Sequence, residues 1–473
     1  MQDGKLDRAK ACGNDRRAAQ SVAQGCDIVR GHGVPARSHS VNVLVTGATG
    51  FSGRALVAAL AARGHVVHAG SRSAANGVAG ARVRAVHVDF GRDVVPAAWH
   101  DRLAGIDAVV NAVGILRERG AQTFARLHVE APIALFDACR ARGISRVVQV
   151  SALGADADAT TAYHRTKRAA DTALLERIPS AWVAQPSLVH GPGGASARLF
   201  GALASLPVIA VPAQARASLQ PIHLDDLVGA LCALVEREPR QGGRVALVGP
   251  EPVTLRELLL RLRTALALPP APVVVVPAAL VTASAALATV VPGALLDRDT
   301  LAMLARGNAA DSTPTVELLG HAPRPIEAFV APRDAPAARA LARLAWLLPL
   351  LRASIATVWI VTGVVSLWVF PAADSHALLV RTGVPAALAP AALVAAALLD
   401  LAFGALVPLL RGEPRRWLWR AQATLIVFYS VVIALRLPEY WIHPYGPLLK
   451  NLPILAVLVA LDVLEDDPRT RAA

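Results

Sequence analysis

The stretch Val43-Leu-Val-Thr-Gly-Ala-Thr-Gly-Phe-Ser-Gly-Arg-Ala-Leu-Val57 decides the fold of this chain. Its apolar first residues predict a short buried strand, and a turn with Gly47, Gly50 and Gly53 follows. In such a turn one glycine permits the tight reversal, one lets the backbone approach a phosphate, and one lets a helix pack on the strand. The helix that follows presents free N–H groups and the positive end of its dipole to a phosphate. The stretch therefore predicts a dinucleotide-binding turn.

Downstream of this turn, short apolar runs alternate with helix-like segments. The predicted strands are Val66–Gly70, Val83–Val88, Ala108–Ile115 and Arg146–Ser151. This alternation predicts an α/β Rossmann fold, a doubly wound parallel sheet, followed by a smaller lobe. In such sheets the ligand lies outside the carboxyl ends of the strands, so residues at those ends are candidates for a binding site.

Several candidate site residues stand at predicted strand ends. Arg72 follows the second strand, where an acidic residue would bond a ribose 2′-hydroxyl and an arginine accommodates a 2′-phosphate. Arg72 therefore favours NADP(H) over NAD(H). Asp89 ends the third strand, and its carboxylate either contacts the adenine amino group or caps the next segment. Asn111 and Gly114, after the fourth strand, are expected beside the cofactor.

A tyrosine and a lysine stand four residues apart in the segment Tyr163-His-Arg-Thr-Lys167. On a helix, residues at this spacing share one face. A cation beside a phenol favours the phenolate, which lowers a pKa that starts near ~10. The pair thus predicts a general acid or base for the interconversion of a carbonyl and an alcohol. Taken alone, this short motif favours a surface helix, but its place just after the fifth predicted strand of a dinucleotide-binding domain favours the functional interpretation.

Together these motifs resemble the short-chain dehydrogenase/reductase superfamily, in its extended and atypical branch of NAD-dependent epimerase/dehydratase-like proteins. The branch is similar to the Rossmann accessory subunit of respiratory complex I. The resemblance covers about residues 41–330. It is carried by the segments Thr46–Gly53, Asn111–Gly114, Tyr163–Lys167, Gln185–Gly194 and Leu219–Asp226.

The resemblance implies roles for individual residues. Tyr163 would be the acid or base, Lys167 would lower its pKa and hold the ribose, and Ser151 would be a weak substrate donor. Pro186 and Ser187 would border the nicotinamide. The implied cofactor-binding residues are Gly47, Thr49, Gly50, Phe51, Gly53, Arg72, Asp89, Phe90, Asn111, Gly114, Tyr163, Lys167, Pro186 and Ser187.

One position departs from the family pattern. Extended members place a serine or threonine, which bonds the substrate carbonyl, two residues after the first serine of this strand end. Here the run is Ser151-Ala-Leu153, so that position holds Leu153. Loss of one such donor can cost roughly 10²–10³ in rate, so cofactor binding is better supported than turnover.

The smaller lobe offers local signals. Thr254 and Glu257 form a capping-box pattern that predicts a helix from Leu255. The segment Pro269–Val276 is apolar and proline-rich, which predicts a connector or an edge strand. His223 with Asp225-Asp226 resembles a set of metal ligands, but acidic residues at a helix start explain it better. The sequence therefore predicts no metal site.

Composition changes towards the C-terminus. Residues 1–40 are polar and basic without hydrophobic period, which predicts disorder, and residues 41–330 form the cofactor-binding domain. Residues 331–350 read as a linker or interfacial helix, and residues 351–473 as a transmembrane domain that loosely resembles DoxX-like four-helix domains. The predicted spans are Leu351–Phe370, Val384–Leu410, Trp417–Leu437 and Leu452–Leu464.

Basic residues predict the orientation in the membrane. Arg333, Arg339 and Arg343 precede the first span, and Arg352 stands at its start. Arg411, Arg415 and Arg416 stand between the second and third spans. By the positive-inside rule, both termini and the Rossmann domain face the cytoplasm of an inner-membrane, multi-pass protein. Asp400 lies within a span and is a functional candidate, since intramembrane charges are costly.

The charge balance bears on partners. The net charge is +13 in 473 residues, with 54% hydrophobic residues. The basic residues are spread over the N-terminus and the membrane-flanking loops, so the lipid bilayer is favoured and nucleic acid is not. Three functions stay open: a reductase acting on a hydrophobic or quinone-like carbonyl/alcohol substrate, an epimerase or dehydratase, and a non-catalytic cofactor-binding scaffold or sensor of a membrane redox complex.

Overall fold

The computed structural model describes residues 40–73, 80–213, 215–277, 279, 298–444 and 446–465. Apart from Ser40, the N-terminal segment that the sequence predicts to be disordered lies outside the described residues. The elements below all belong to these ranges.

Seven parallel strands form the main sheet, in the order β10-β6-β5-β4-β1-β2-β3. This arrangement confirms the predicted doubly wound Rossmann sheet. The strands are β1 (Asn42–Thr46), β2 (Val66–Ser71), β3 (Val83–His87), β4 (Ala108–Asn111), β5 (Arg146–Val150), β6 (Trp182–Pro186) and β10 (Gly243–Leu247). Short strands form two further pairs, β7 (Val189–His190) with β9 (Ile222–His223) and β8 (Ile209–Pro212) with β11 (Val273–Val276).

Helices cover both faces of the sheet. Leucines and valines of α1 and α5 pack on one face, whereas α2 and α3 pack on the other. A π-helical turn, Ala125–Glu130, leads into α2. The helices of this part are α1 (Phe51–Ala62), α2 (Ala131–Ala141), α3 (Ala162–Arg177), α4 (Ala195–Ser205), α5 (Leu224–Glu236), α6 (Leu255–Ala265), α7 (Arg298–Arg306) and α8 (Thr313–Leu319).

The strand order reverses between β1 and β4, and the glycine turn lies at this point. Gly47 has φ +73°, and an added Cβ there would come within 2.8 Å of the Ala112 carbonyl oxygen, just past β4. A Cβ on Gly53 would overlap the carbonyl oxygen of Gly47, so α1 packs directly on the turn. Neither position has room for a side chain, so both residues must be glycine, as expected for a dinucleotide-binding turn.

The smaller lobe agrees with its local signals. Thr254 and Glu257 form the predicted capping box at the start of α6. The segment Pro269–Val276 ends in β11, which pairs in parallel with β8, and this favours an edge strand over a connector. His223 caps α5, and both acidic residues lie in the first turn of that helix, as expected for a helix start.

The C-terminal part is helical: α9 (Ala335–Val364), α10 (Ala372–Thr382), α11 (Ala389–Leu409), α12 (Glu413–Arg436) and α13 (Asn451–Glu465). Three stretches are long and apolar enough to cross a membrane: Ala335–Val369, Ala386–Leu409 and Glu413–Arg436. The predicted linker 331–350 lies mostly within α9, which continues without a break into the predicted first span. The predicted fourth span lies in α13, which has 15 residues, fewer than the ~20 that a perpendicular helix needs.

Small residues bring α9 and α11 together. An added Cβ on Gly363 would lie 2.9 Å from the Ala397 carbonyl oxygen, and one on Gly404 would lie 2.9 Å from that of Ala356. Close approach through small residues is the usual way in which membrane helices associate. Asp400 lies on the buried side of α11, and its Oδ1 has no hydrogen-bond partner among the described residues.

Charged residues gather at one end of this bundle. Arg352 bonds Glu465 through Nε at 3.0 Å, and Arg415 bonds the same carboxylate at 3.1 Å. Arg416 pairs with Asp462 at 3.0 Å. The beginning of the first predicted span, the connection between α11 and α12, and the end of α13 therefore lie at the same end.

We expect Gly53→Ala to lower the free energy of unfolding by about 2 kcal/mol, because the new methyl group meets backbone that cannot move aside. Gly201→Ala in α4 is the matched control, since its Cβ would meet the Cβ of Ala342 at an ordinary 3.6 Å. Thermal unfolding of the detergent-purified protein, followed by tryptophan fluorescence, measures both. Equal melting temperatures for the two variants would contradict the tight contact.

Candidate cofactor and active site

The glycine turn forms a cradle at the start of α1. Gly50 is the N-cap of α1, no side chain caps the helix, and its first turn holds no acidic residue. The N–H groups at this end therefore remain available to an anion such as a phosphate. Thr49 is exposed beside them, and the half-buried ring of Phe51 lies against Gly194, where an added Cβ would approach it to 2.8 Å.

Arg72 follows β2, Asp89 and Phe90 follow β3, and the three side chains lie in different surroundings. Arg72 is exposed at the end of β2, and the described residues show no ion pair for it. The Oδ1 atom of Asp89 accepts a bond from the Gly91 N–H at 2.9 Å, which matches the capping alternative for this carboxylate. Phe90 is buried and packs edge-to-face on Trp99, so its side chain belongs to the core instead of facing a cofactor.

Asn111 lies beneath the turn instead of beside an open cleft. Its side chain is fully buried, its Oδ1 accepts from the Thr46 hydroxyl at 2.7 Å, and its Nδ2 donates to Gln149 Oε1 at 2.7 Å. The amide thus ties β1, β4 and β5 together at their carboxyl ends. Gly114 leaves room for Lys167, because a Cβ there would lie 3.0 Å from the lysine Nζ.

Tyr163 and Lys167 both lie in the first turns of α3, as the sequence predicts. The Lys167 ammonium is buried and donates to the carbonyl oxygens of Val150 at 3.0 Å and Val113 at 3.3 Å. Tyr163 is half-buried, with its ring edge-on to His128 at 5.6 Å. The pair therefore stands at the ends of β4 and β5, next to the glycine turn.

The expected low pKa of the tyrosine is wrong for this structure. Burial raises the pKa of Tyr163 to about 12, and the carboxylate of Asp171 raises it further in the same direction. Burial lowers the pKa of Lys167 to about 8, although Asp171 opposes that change. The physical reason is desolvation: burial disfavours both phenolate and ammonium, and the lysine charge is directed at two backbone carbonyls.

Ser151 is also placed differently from its predicted role as a substrate donor. Its hydroxyl is buried and donates to Asp171 Oδ2 at 2.5 Å. Asp171 is fully buried, and burial raises its pKa to about 6, against the lowering effects of Ser151 and Lys167. Sequence reasoning missed Asp171, although an acidic residue four positions after Lys167 was a usable signal.

His128, which the sequence did not single out, also lies in this site, where it joins the segment after β4 to α3. Its Nε2 accepts from the Ile115 N–H at 3.1 Å, and its Nδ1 lies 3.1 Å from the Thr166 hydroxyl. This pattern requires the neutral ring with the proton on Nδ1. Burial, followed by the nearby Lys167 charge, lowers the pKa of His128 to about 3.

A cavity of about 280 Å³ lies past the end of β5. It is lined by Leu153, Gly154, Asp156, Ser218, Arg306, Gly307, Asn308 and Ala309. Leu153, at the position where the family places a hydroxyl, therefore faces the cavity together with Arg306 and Asn308 from the smaller lobe. The Pro186 carbonyl accepts from the Leu153 N–H at 2.9 Å, and the Ser187 hydroxyl donates to the Gln220 carbonyl at 2.5 Å.

The sheet, the glycine cradle and the tyrosine–lysine pair define an NAD(P)-binding Rossmann domain of the short-chain dehydrogenase/reductase superfamily. The chain belongs to the NAD-dependent epimerase/dehydratase family, whose pattern matches residues 43–249. Residues 356–459 match the DoxX-like family. Both resemblances inferred from the sequence, the first from motifs and the second from span count and composition, are thus confirmed.

Three relatives resemble part of this chain. The chain is 33% identical over 202 residues to a ceramide reductase of Caulobacter vibrioides, covering 40% of this chain and 60% of the relative. It is 28% identical over 267 residues to subunit 9 of the NADH dehydrogenase [ubiquinone] 1 alpha subcomplex of Arabidopsis thaliana, covering 52% and 63%. It is 32% identical over 226 residues to a 3-diazoavenalumate denitrifying reductase of a Streptomyces species, covering 42% and 73%. The chain thus spans about three-fifths of the first two relatives.

We expect acid to destabilise the fold through His128. Its folded pKa of about 3 lies below the ordinary 6.5, so below pH ~6.5 the unfolded state binds a proton that the folded state excludes. Stability then falls as the pH falls, by up to about 1.4 kcal/mol per pH unit for this group. His128→Gln keeps an acceptor for the Ile115 N–H but does not titrate.

Melting temperatures of the full-length protein between about pH 7 and pH 5 measure this effect. The loss on acidification should be smaller in His128→Gln than in the wild type. It should not vanish, because burial also lowers the pKa of His190, to about 4. Parallel pH profiles for wild type and variant would remove His128 from the explanation.

Proposed function

We propose that this protein is a membrane-anchored reductase that uses NADPH to reduce the carbonyl group of a hydrophobic substrate. The observation that carries the proposal is the placement of Tyr163 and Lys167 at the strand ends beside the glycine turn, next to a cavity at Leu153. A relative named for the reduction of ceramide, a lipid, supports a hydrophobic substrate. The apolar C-terminal helices support its delivery from a bilayer.

The electrostatics of Tyr163 favour the direction of reduction. With a pKa of about 12, the phenol keeps its proton at neutral pH, so it can donate that proton to a substrate oxygen. The bound NADPH would supply the hydride to the carbonyl carbon, which yields an alcohol once the phenol proton reaches the oxygen. Lys167, fixed on the carbonyls of Val113 and Val150, would bond the ribose and the phenolate that remains.

The cofactor contacts follow from the turn and from Arg72. The N–H groups at the start of α1 would hold the pyrophosphate, with Gly47, Gly50 and Gly53 giving the close approach. Arg72, exposed at the end of β2, would pair with a 2′-phosphate and so prefer NADP(H) over NAD(H).

The proposed topology is that of an inner-membrane protein with the Rossmann domain and both termini in the cytoplasm. The proposal includes the domain boundaries at residues 40, 330 and 350. It also includes a fourth membrane span, formed by α13. It is supported by the common end at which Arg352, Arg415 and Arg416 meet acidic residues of α13, since basic residues accumulate on the cytoplasmic side.

A second candidate is a non-catalytic cofactor-binding scaffold or sensor in a membrane redox complex. Two observations favour it: Leu153 stands where a carbonyl donor is expected, and the Ser151 hydroxyl is already committed to Asp171. The likeness to a plant NADH dehydrogenase subunit points the same way. Membership of the epimerase/dehydratase family makes an epimerase or dehydratase a third candidate, because such a reaction also depends on hydride transfer with the bound cofactor.

We expect the wild type in lipid nanodiscs to oxidise NADPH with a long-chain ketone and to act poorly on a short, water-soluble one. Tyr163→Phe should lower kcat by about 10²- to 10⁴-fold, because it removes the donated proton, while NADPH binding, followed by cofactor fluorescence, persists. Tyr440→Phe, the same change outside the site, is the control. Binding of NADPH without turnover of any carbonyl in the wild type would favour the scaffold.

We expect Arg72→Ala to weaken NADPH binding about 10- to 100-fold, the usual value of a hydrogen-bonded charge pair. Binding of NADH should change less than about twofold, because NADH has no 2′-phosphate. Arg84→Ala, an exposed arginine on the neighbouring β3, is the matched control. Fluorescence titrations of the wild type and both variants with each cofactor measure the six affinities, and an equal loss for both cofactors in Arg72→Ala would refute the assignment of Arg72.

A further inference from the structure

The smaller lobe is packed on the helix that leads into the first predicted span. An added Cβ on Gly201 of α4 would lie 3.6 Å from the Cβ of Ala342 in α9, and Trp346 Nε1 donates to Ser205 Oγ at 3.1 Å. Both contacts advance by four residues along each helix, so α4 and α9 run in the same direction. Because α9 continues into its apolar half, the carboxyl end of α4 points towards the membrane.

Arginine side chains connect the carboxyl end of α4 to neighbouring segments through hydrogen bonds to backbone carbonyls. Arg263 donates to the carbonyl oxygens of Ala204 at 2.7 Å and Leu206 at 2.8 Å, and its Nε reaches the Pro269 carbonyl at 2.5 Å. These bonds join the end of α4 to the segment that leads into β11. From α9 itself, Arg339 donates to the Ala267 carbonyl at 3.0 Å. The lobe and α9 are therefore held together at several points.

The chain emerging from this end carries exposed valines. Strands β8 and β11 form a two-stranded parallel pair, with Ile209 opposite Val273. The exposed fraction is 44% for Val208, 51% for Val274 and 63% for Val275, and we call these three residues the valine ribbon. No charged residue stands between Arg263 and Val276. An exposed apolar edge without charges is a liability in water and marks an interaction surface.

The contact between α4 and α9 lies close to the charged end of the membrane bundle. Trp346 precedes Arg352 by six residues, which is about 9 Å along a helix, and Arg352 belongs to the charged end of the membrane bundle. Tryptophan and arginine at this spacing are typical of the interfacial layer. Val208 follows Ser205, the partner of Trp346, by three residues. Arg339 and Arg343 of α9 add positive charge that suits anionic lipid headgroups.

We propose that the valine ribbon inserts into the headgroup and acyl boundary of an anionic bilayer, as a second membrane contact beside the spans. This inference rests on the proposed insertion of α9 and does not depend on the reaction. The two contacts together fix the tilt of the smaller lobe, and hence of the cavity at Leu153, relative to the lipid surface. The occupant is lipid, since charge complementarity and continuity with α9 both favour it.

The test uses full-length protein with Cys12 and Cys26 changed to Ala and one new cysteine, labelled with a fluorophore that responds to polarity. Val275→Cys reports on the valine ribbon. Val361→Cys, exposed on the apolar half of α9, is the control for lipid, and Ala85→Cys, exposed on the edge strand β3, is the control for water. Each variant is placed singly in nanodiscs of phosphatidylcholine and phosphatidylglycerol, with and without doxyl-labelled lipid.

We expect doxyl lipid to lower the emission at positions 275 and 361 by about twofold or more and to leave position 85 unchanged, while iodide quenches only position 85. If the label at position 275 is quenched by iodide and not by doxyl lipid, as at position 85, the valine ribbon lies in water and the proposal is wrong. If neither quencher reaches position 275, protein covers it and the proposal is wrong as well. A failure of lipid quenching at position 361 overturns the insertion of α9 itself, so the two failures are distinguishable.

Discussion

The contact between the start of α1 and the turn after β1 is the constraint on which the rest of the domain depends. Gly53 can rest on the Gly47 carbonyl only because it lacks a Cβ, and Gly47 itself needs a positive φ beside Ala112. This packing places an uncapped helix end at the point where the strand order reverses. Every other element of the candidate site stands around that point, because the parallel strands all deliver their carboxyl ends to the same edge.

Desolvation shifts the pKa values of the buried groups at this edge of the sheet more than their interactions with neighbouring charges do. Lys167, Asp171 and Tyr163 are close enough to influence one another, yet burial is the largest cause of the shift in pKa for each of them. A phenol that keeps its proton suits a proton donor, whereas a general base would require the phenolate. The Ser151 hydroxyl donates a hydrogen bond to Asp171 and so stabilises the buried carboxylate instead of serving a substrate. The same burial that raises the tyrosine pKa thus keeps the phenol protonated at neutral pH.

The soluble and helical parts form one continuous structure through α9. Its first half packs on α4 of the smaller lobe, and its second half packs on α11 through Gly363 and Gly404. Because one helix makes both contacts, α4 and α11 are joined through a single rigid element. The cavity at Leu153 is therefore held at a defined distance from the apolar helices.

Local patterns in the sequence determined the elements: the glycine turn, the alternation that yields the parallel sheet, the capping box at Thr254 and the apolar helices all depend on neighbours within a few residues. The tyrosine–lysine pair and the likeness to two families were also readable at this level. Only the tertiary structure decided what each side chain faces. Asp171 and His128 joined the site, while Phe90 and the amide of Asn111 entered the interior, because burial and hydrogen-bond partners come from segments distant in sequence. The pKa of Tyr163 differed from expectation for the same reason: the spacing suggests a cation beside the phenol, but the desolvation that raises this pKa exists only once the chain is packed.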